Sequence, residues 1–313
     1  MKARDYIHGM RLRTLPLGIA PVAAAAALSY NNRADMAQPF SVARFWILVV
    51  ACLCVAVFLQ VAANFANDYS DGVRGTDRLR AGDARSEGPR RLVAGGIAPK
   101  QVLMAAAANA TLACIAGLVA VILTGYWWLI AVGLVCLAAA WWYVGGKHPY
   151  GYAGFGEISV FVFFGLVPVL GTAYVLTGAL RFTDVYAGVI LGFIAVGVLC
   201  MNNLRDEASD EQAGKRTWMV MLGGSTGRVV TGILLGAAIL LIVLPWCNVV
   251  FPTFTQSFGS LGWFMAGLLA MIACLDMLVR ALNALYQRTY NAAMRTCSIS
   301  ALLFALMLIF AAF

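Results

Sequence analysis

The sequence predicts an all-α, polytopic membrane bundle of nine transmembrane helices. Hydrophobic residues make up 62% of the 313-residue chain and charged residues only 12%, about half the share of an ordinary soluble domain. Because a water-soluble fold needs more polar surface than this, soluble, disordered and collagen-like folds are excluded. Apolar runs of membrane-spanning length recur along the chain, and they lack the short alternating segments of a membrane β-barrel.

Nine apolar runs give the predicted spans in order. Each run holds about 17 to 25 residues, as a helix that crosses the hydrocarbon core requires. The first run follows basic residues and resembles a signal peptide, but the many later spans favour a retained helix. The predicted spans are residues 14–30, 45–67, 101–124, 128–144, 157–178, 184–203, 229–250, 261–283 and 295–313.

The basic residues predict the orientation of these spans. Only Arg33, Arg44 and Arg181 fall in the segments that follow odd-numbered spans. Every other Lys and Arg lies before the first span, within or after an even-numbered one, or, for Arg295, at the first position of span nine. Since Lys and Arg accumulate in cytoplasmic loops, we expect a cytoplasmic amino terminus and an external carboxyl terminus. These loops also explain the net charge of +8, so no nucleic-acid partner is expected.

Two acidic clusters end predicted spans two and six on the cytoplasmic side. The spacing of positions 64, 68 and 71, and of positions 203, 206 and 210, places each set on one helical face. Because four spans separate the clusters, we expect a weak internal repeat of spans one to four in spans five to eight, within a single domain 1–313. The clusters contain Asn64, Asn67, Asp68 and Asp71, then Asn202, Asn203, Arg205, Asp206 and Asp210, with Lys215 following.

The paired carboxylates predict a site for Mg²⁺ and a diphosphate. Carboxylates at membrane depth are costly and usually face a working cavity, and Asp and Asn oxygens suit Mg²⁺, which takes further ligands from phosphates. The alternative interpretation is that the acids cap helix ends and that the Asn side chains bond between helices. We expect Asp68, Asp71, Asp206 and Asp210 to hold the metal and Lys215 and Arg91 to contact the diphosphate.

In these motifs the chain resembles the UbiA-type intramembrane aromatic prenyltransferases, and within them the 1,4-dihydroxy-2-naphthoate polyprenyltransferases of menaquinone synthesis. The resemblance covers nearly the whole chain. The wider family often has a third Asp where this sequence has Gly75; Asp77 lies two residues further on, as in the naphthoate branch, and is a further candidate metal ligand. The matching motifs are residues 67–77, 88–95, 149–157 and 202–217.

The resemblance implies helices around a cavity that opens sideways to lipid in a bacterial cytoplasmic membrane, with the active site at the cytoplasmic face. It also implies a reaction: with Mg²⁺, a polyprenyl diphosphate ionises and the allylic cation attacks the ring carbon that carries the carboxylate of 1,4-dihydroxy-2-naphthoate. Carbon dioxide and diphosphate leave, giving demethylmenaquinone. Asp68, Asp71, Asp206, Asp210 and Lys215 are the candidate catalytic residues.

The resemblance makes two tyrosines candidates for the aromatic acceptor site. Glu157, at the start of span five, has two interpretations: a favourable charge at a helix amino terminus, or a part of the active site. The full set of candidate substrate-binding residues is Asn64, Asn67, Arg91, Tyr150, Tyr152, Asn202, Asn203 and Arg205.

Three other functions fit part of the pattern. CDP-alcohol phosphotransferases also carry Asp clusters at membrane helix ends, but their acids fall within one short stretch. A transporter would place its polar site near the middle of the bilayer. The closest alternative is a related prenyltransferase that uses 4-hydroxybenzoate, haem or homogentisate as acceptor.

Overall fold

The computed structural model describes residues 1–35, 40–77, 92–247 and 260–312, which are mostly helical. Short 3₁₀ turns at Leu12–Thr14, Arg33–Asp35 and Tyr150–Tyr152 connect some of the helices. In chain order the helices are α1 (Ala3–Met10), α2 (Pro16–Asn31), α3 (Val42–Arg74), α4 (Pro99–Thr124), α5 (Leu129–Val144), α6 (Gly156–Thr177), α7 (Phe182–Arg205), α8 (Glu207–Gln212), α9 (Trp218–Trp246), α10 (Leu261–Tyr286) and α11 (Tyr290–Ala311).

The all-α membrane class is confirmed, and the count of spans is corrected. Among the described residues, seven helices are long and apolar enough to cross a membrane, and an eighth span results if Ala3–Thr14 and Pro16–Asn31, bent by 54°, are taken together. Helix α5 has 16 residues, about 24 Å at 1.5 Å per residue, which is shorter than a hydrocarbon core of about 30 Å. Each of the nine predicted runs overlaps a helix over most of its described residues, but the fourth is too short to count by this criterion.

Helix α7 forms the centre of the bundle. Of its most apolar window 72% is buried, against 22% for α10, and it packs against α6, α9 and α11. Glycines allow this close packing: a Cβ added at Gly165 of α6 would lie 2.5 Å from the Cα of Gly192 in α7. Because α7 is enclosed and α10 is peripheral, the two helices face very different surroundings.

The bend between Ala3–Thr14 and Pro16–Asn31 is stabilised by amide side chains of α3. Gln60 donates to the carbonyl oxygen of Thr14 at 2.6 Å, and Asn64 donates to that of Met10 at 3.0 Å. Carbonyls at a helix end have no partner within their own helix. The bend between α1 and α2 is therefore stabilised from the same face of α3 that carries the first acidic cluster.

Two local departures from regular α-helix occur near the cavity described below. Residues Phe161–Leu166 of α6 form a π-helix, which widens the helix by part of a turn. Helix α7 ends at Arg205, Asp206 adopts φ −97° and ψ 7°, and α8 begins at Glu207. The single helical face predicted for positions 203, 206 and 210 is therefore broken at Asp206.

Candidate active site

A cavity of about 670 Å³ opens between the helices. One end is polar, and the remaining wall is made largely of aliphatic side chains together with Phe163 and Phe164. The cavity thus has the two-part character of an amphiphilic ligand. The polar lining includes Asn64, Asn67 and Asp71 of α3, Tyr150, Tyr152, Asn202 and Asn203 of α7, Asp210 of α8, and Lys215.

Lys215 joins the two acidic clusters. Its ammonium group lies 3.2 Å from a carboxylate oxygen of Asp71 and 3.8 Å from one of Asp210. All three side chains are buried, and the backbone N–H of Lys215 donates to the carbonyl of Asp210 at 2.8 Å, which fixes the turn after α8. The structure therefore brings together one predicted acid from each cluster and the predicted basic residue.

Tyr152 completes this contact. Its hydroxyl donates to Asp71, and the ammonium of Lys215 lies 4.4 Å from the centre of its ring, within cation–π range. Burial, and next the negative charge of Asp71, raise the pKa of the Tyr152 hydroxyl, so it stays protonated and able to donate. The backbone N–H of Arg216 holds the Tyr152 carbonyl at 2.9 Å.

Tyr150 has a different role in the structure. Its hydroxyl donates to the carbonyl of Ala139 in α5 at 2.8 Å, although the residue also lines the cavity. Burial raises the pKa of this hydroxyl as well. The two predicted tyrosines therefore line the same cavity, but their hydroxyls differ: that of Tyr152 donates to the carboxylate of Asp71, and that of Tyr150 to a backbone carbonyl.

Asp68 and Asp77 lie behind the cavity wall. Asp68 is 3% exposed and accepts a hydrogen bond from the backbone N–H of Leu92 at 3.0 Å. Asp77 is fully buried. Neither belongs to the cavity lining. The predicted diphosphate contact Arg91 lies outside the described residues.

Arg205 holds the second cluster in shape. Its guanidinium donates to both carboxylate oxygens of Asp206, at 2.8 and 2.9 Å, and to the side-chain oxygen of Asn202 at 2.8 Å. A further hydrogen bond reaches Asn291 of α11 at 3.1 Å. Neither Arg205 nor Asp206 lines the cavity, so the geometry favours a positioning role for Arg205.

Glu157 was left with two interpretations by the sequence, and the structure ties it to the site. It is fully buried and accepts hydrogen bonds from the side-chain amide of Asn203 at 3.0 Å and from the backbone N–H of Trp218 at 3.2 Å. Because Asn203 lines the cavity, Glu157 orients a predicted site residue from the first turn of α6.

Gln60 is a cavity residue that the sequence analysis missed. It lines the polar part of the cavity beside Asn64, and its side-chain oxygen is buried with no hydrogen-bond partner among the described residues. The signal was present in the sequence, because Gln60 lies four residues before Asn64 and therefore shares its helical face.

The oxygen atoms at the polar end are suitable ligands for Mg²⁺. Besides the carboxylates of Asp71 and Asp210, the side-chain oxygen of Asn67 is buried without a hydrogen-bond partner among the described residues. Within the part of the chain that the structure describes, no three His, Cys, Asp or Glu side chains form a metal-holding group on their own. Since Mg²⁺ usually binds through one or two carboxylates plus water and substrate phosphates, this donor set fits an ion that binds together with a diphosphate.

Sequence comparison establishes the class of the protein. The UbiA prenyltransferase family matches residues 18–303, so the chain belongs to this family and is an integral membrane enzyme that transfers prenyl groups. The resemblance noted in the motifs is thereby confirmed.

Individual relatives and one solved structure show which members of the family the chain is similar to. The chain is 44% identical over 252 residues to the 1,4-dihydroxy-2-naphthoate octaprenyltransferase of Mycobacterium tuberculosis (78% of this chain, 80% of the relative). It is 32% identical over 234 residues to the Escherichia coli protein of the same name (72% and 71%). Its fold is similar to that of a UbiA homolog from Archaeoglobus fulgidus bound to DMAPP and Mg²⁺, with a TM-score of 0.56 at 15% identity over 97% of this chain and 98% of that one.

Proposed function

We propose that this enzyme transfers a polyprenyl group from a polyprenyl diphosphate to 1,4-dihydroxy-2-naphthoate, in the synthesis of menaquinone. The names of the relatives from Mycobacterium tuberculosis and Escherichia coli support this acceptor. The observation that carries the proposal is the cavity itself: Asp71, Lys215 and Asp210 meet at its polar end, and an apolar wall continues from them. A diphosphate head and a prenyl tail match these two parts.

Asp71, Asp210 and Asn67 would hold Mg²⁺ from the cavity lining, and Asp68 and Asp206, which lie outside the lining, would complete the acidic set. Bound Mg²⁺ would neutralise the diphosphate and stabilise the charge that develops as it leaves. Asn64, Asn202 and Asn203 supply further polar contacts at the same end. Because Glu157 holds the amide of Asn203, this part of the wall is oriented before substrate binds.

Lys215 is the proposed contact to the leaving diphosphate. In the structure its ammonium is shared between Asp71 and Asp210, and a bound anion offers it charge-assisted hydrogen bonds in their place. Tyr152 keeps its proton and donates to Asp71, so this carboxylate keeps its orientation when Lys215 turns to the substrate.

The apolar wall protects the allylic cation. Phe163 and Phe164 present aromatic surface to the cavity, which can stabilise a cation, and the aliphatic side chains exclude water that would otherwise trap it. When the cation bonds to the ring carbon that carries the carboxylate, the bond to the carboxylate breaks and its electron pair restores the aromatic ring. Carbon dioxide leaves, the product is demethylmenaquinone in its quinol form, and no proton has to be removed at that carbon.

The proposed orientation places the polar end of the cavity at the cytoplasmic face, with the amino terminus in the cytoplasm and the carboxyl terminus outside. It requires that α5, despite its 16 residues, crosses the bilayer together with the bent pair and the seven long helices. The distribution of Lys and Arg supports it. The diphosphate and the naphthoate then approach from the cytoplasm, and the prenyl chain from the bilayer.

The test is an assay on the purified, reconstituted protein. It receives Mg²⁺, a radiolabelled polyprenyl diphosphate, and either 1,4-dihydroxy-2-naphthoate with labelled carboxylate or 4-hydroxybenzoate. We expect a prenylated naphthoquinone and one equivalent of labelled carbon dioxide with the first acceptor only, and loss of both with a chelator. Turnover of 4-hydroxybenzoate alone would assign a different acceptor, and full activity in chelator would contradict the metal-dependent step.

A further inference from the structure

Helix α10 carries two opposite charges on a side that no other described part of the chain covers. The guanidinium of Arg280 donates to the carboxylate of Asp276 at 2.7 Å, and the two side chains are 64% and 46% exposed. The pair lies at i, i+4 spacing on the most exposed of the candidate spans, of whose apolar window only 22% is buried.

The pair lies deep within the bilayer. Trp263 and Tyr286 are near the two ends of α10, and aromatic residues of this kind mark membrane interfaces. At 1.5 Å per residue, Asp276 is about 20 Å from the first and about 15 Å from the second. Since the hydrocarbon core is about 30 Å thick, Asp276 falls close to its middle.

Arg280 does not relieve this cost by reaching for the membrane surface. Its guanidinium bonds to Asp276, one turn towards the amino end of α10, and thus points away from the nearer interface at Tyr286. Charged groups at this depth are costly and are rarely left facing lipid. A lipid-facing position therefore leaves the pair poorly solvated, whereas a protein surface of matching polarity would solvate it.

The charges belong to a continuous stripe of exposed residues on one face of α10. The members recur every three or four residues, as one side of a helix requires, while the opposite side packs against α11. Asn283 adds a third polar group to the stripe, and Asn side chains hydrogen-bond between membrane helices. The stripe consists of Met265, Leu269, Ile272, Asp276, Val279, Arg280 and Asn283.

We propose that this stripe, the α10 face, is covered by the α10 face of a second copy of the chain. Two copies inserted in the same orientation can close a pair only about a twofold axis along the membrane normal, so equivalent residues lie at equal depth. Because the guanidinium of Arg280 turns back to Asp276, the two charges of each copy lie at nearly the same depth. Asp276 of each copy can then contact the guanidinium of the other copy across the axis. A face that carries both charges is complementary to a second copy of itself. A partner with charges of one sign would attract either Asp276 or Arg280 and repel the other.

The first experiment measures association of the full-length protein in liposomes. Donor- and acceptor-labelled copies are mixed at falling protein-to-lipid ratios, and energy transfer gives the dimer dissociation constant. In the double variant Asp276→Leu/Arg280→Leu the helix stays apolar and inserts readily, so its fold does not depend on the charges. We expect its dissociation constant to rise at least tenfold while prenyl transfer per chain persists. A wild type that is monomeric at every ratio, or an unchanged constant in the variant, overturns the proposal.

The second experiment locates the contact. Exposed Cys114 and Cys247 are first replaced by Ala, and then Ile272→Cys on the α10 face is compared with Ile233→Cys on α9, which is 65% exposed and serves as the matched control. A thiol cross-linker in membranes should give a dimer of this chain with Ile272→Cys only. Equal cross-linking at both positions, or cross-linking of Ile272→Cys only to other proteins, overturns the proposal.

Discussion

The two acidic clusters are similar in sequence but differ in backbone. In the first, one uninterrupted helix, α3, carries Asn67, Asp68 and Asp71 and ends only at Arg74, where Gly75 adopts a left-handed φ of 82°. In the second, the helix ends at Arg205 and Asp210 lies on the separate helix α8. The first cluster therefore lies on one continuous helix, whereas the second spans a break between two helices.

The groups that donate hydrogen bonds to the acids also differ between the two clusters. In the first cluster a backbone N–H, that of Leu92, holds Asp68, and Tyr152 holds Asp71. In the second cluster Arg205 holds Asp206 with two hydrogen bonds and also binds Asn202. Equal sequence patterns therefore do not imply equal tolerance to substitution, because one side chain, Arg205, holds two members of the second cluster, whereas separate groups hold the acids of the first.

The largest effect is expected from substitution of the two acids that contact Lys215, Asp71 and Asp210. Asp71→Asn should lower kcat/KM for the prenyl diphosphate about 10²- to 10³-fold, since it removes a charge aimed at the reacting group. Asp210→Asn should lower kcat/KM less, because the contact of Asp210 to Lys215 is longer, 3.8 Å against 3.2 Å for Asp71, and Asp71 also accepts from Tyr152. Steady-state kinetics at saturating Mg²⁺ measure both. Equal losses would show that the clusters contribute equally despite their different backbones.

A smaller effect is expected from substitution of Arg205, which holds Asp206 and Asn202 in the second cluster. Arg205→Lys keeps the charge but not the paired geometry, so we expect about tenfold lower activity and a loss of about 1–3 kcal/mol in stability. Thermal unfolding in detergent and kinetics measure the two effects. Arg216→Lys, at an exposed position nearby, is the matched control and should behave as wild type. If Arg205→Lys does so too, the break at Asp206 needs no side-chain support.

The smallest effect separates the two tyrosines. Tyr152→Phe removes the hydroxyl that bonds to Asp71 and keeps the ring beside Lys215, so kcat should fall about threefold to tenfold, the value of one hydrogen bond. Tyr150→Phe removes a bond to a backbone carbonyl of α5 and should change stability more than kcat. A reversal of this order would move the role in catalysis from Tyr152 to Tyr150.

Much of the fold follows from composition and periodicity. Runs of apolar residues are long, local signals, and each predicted run overlaps a helix over most of its described residues. The bounds of α5 were predicted within one residue, 128–144 against Leu129–Val144; the error lay in counting so short a helix as a full span. Lipid-facing and buried positions are also hard to separate by sequence, since both are apolar in a membrane protein.

The site was predictable where several residues repeat a spacing, and not where a single side chain bridges elements. The cluster residues Asp71 and Asp210 were found by helical spacing, and the structure brings them to one ammonium. The break at Asp206 left no comparable sequence signal, since neither proline nor glycine occurs between Asn202 and Asp210. The contact between Glu157 and Asn203 joins residues 46 positions apart, and spacing along one helix carries no information about such a pair.

The bent start of the chain bears on how the protein is made. The carbonyls of Met10 and Thr14 find their donors on Asn64 and Gln60, residues that leave the ribosome some fifty positions later. Backbone carbonyls without partners are costly in a membrane. The first segment therefore reaches its final bent form only after α3 has been synthesised.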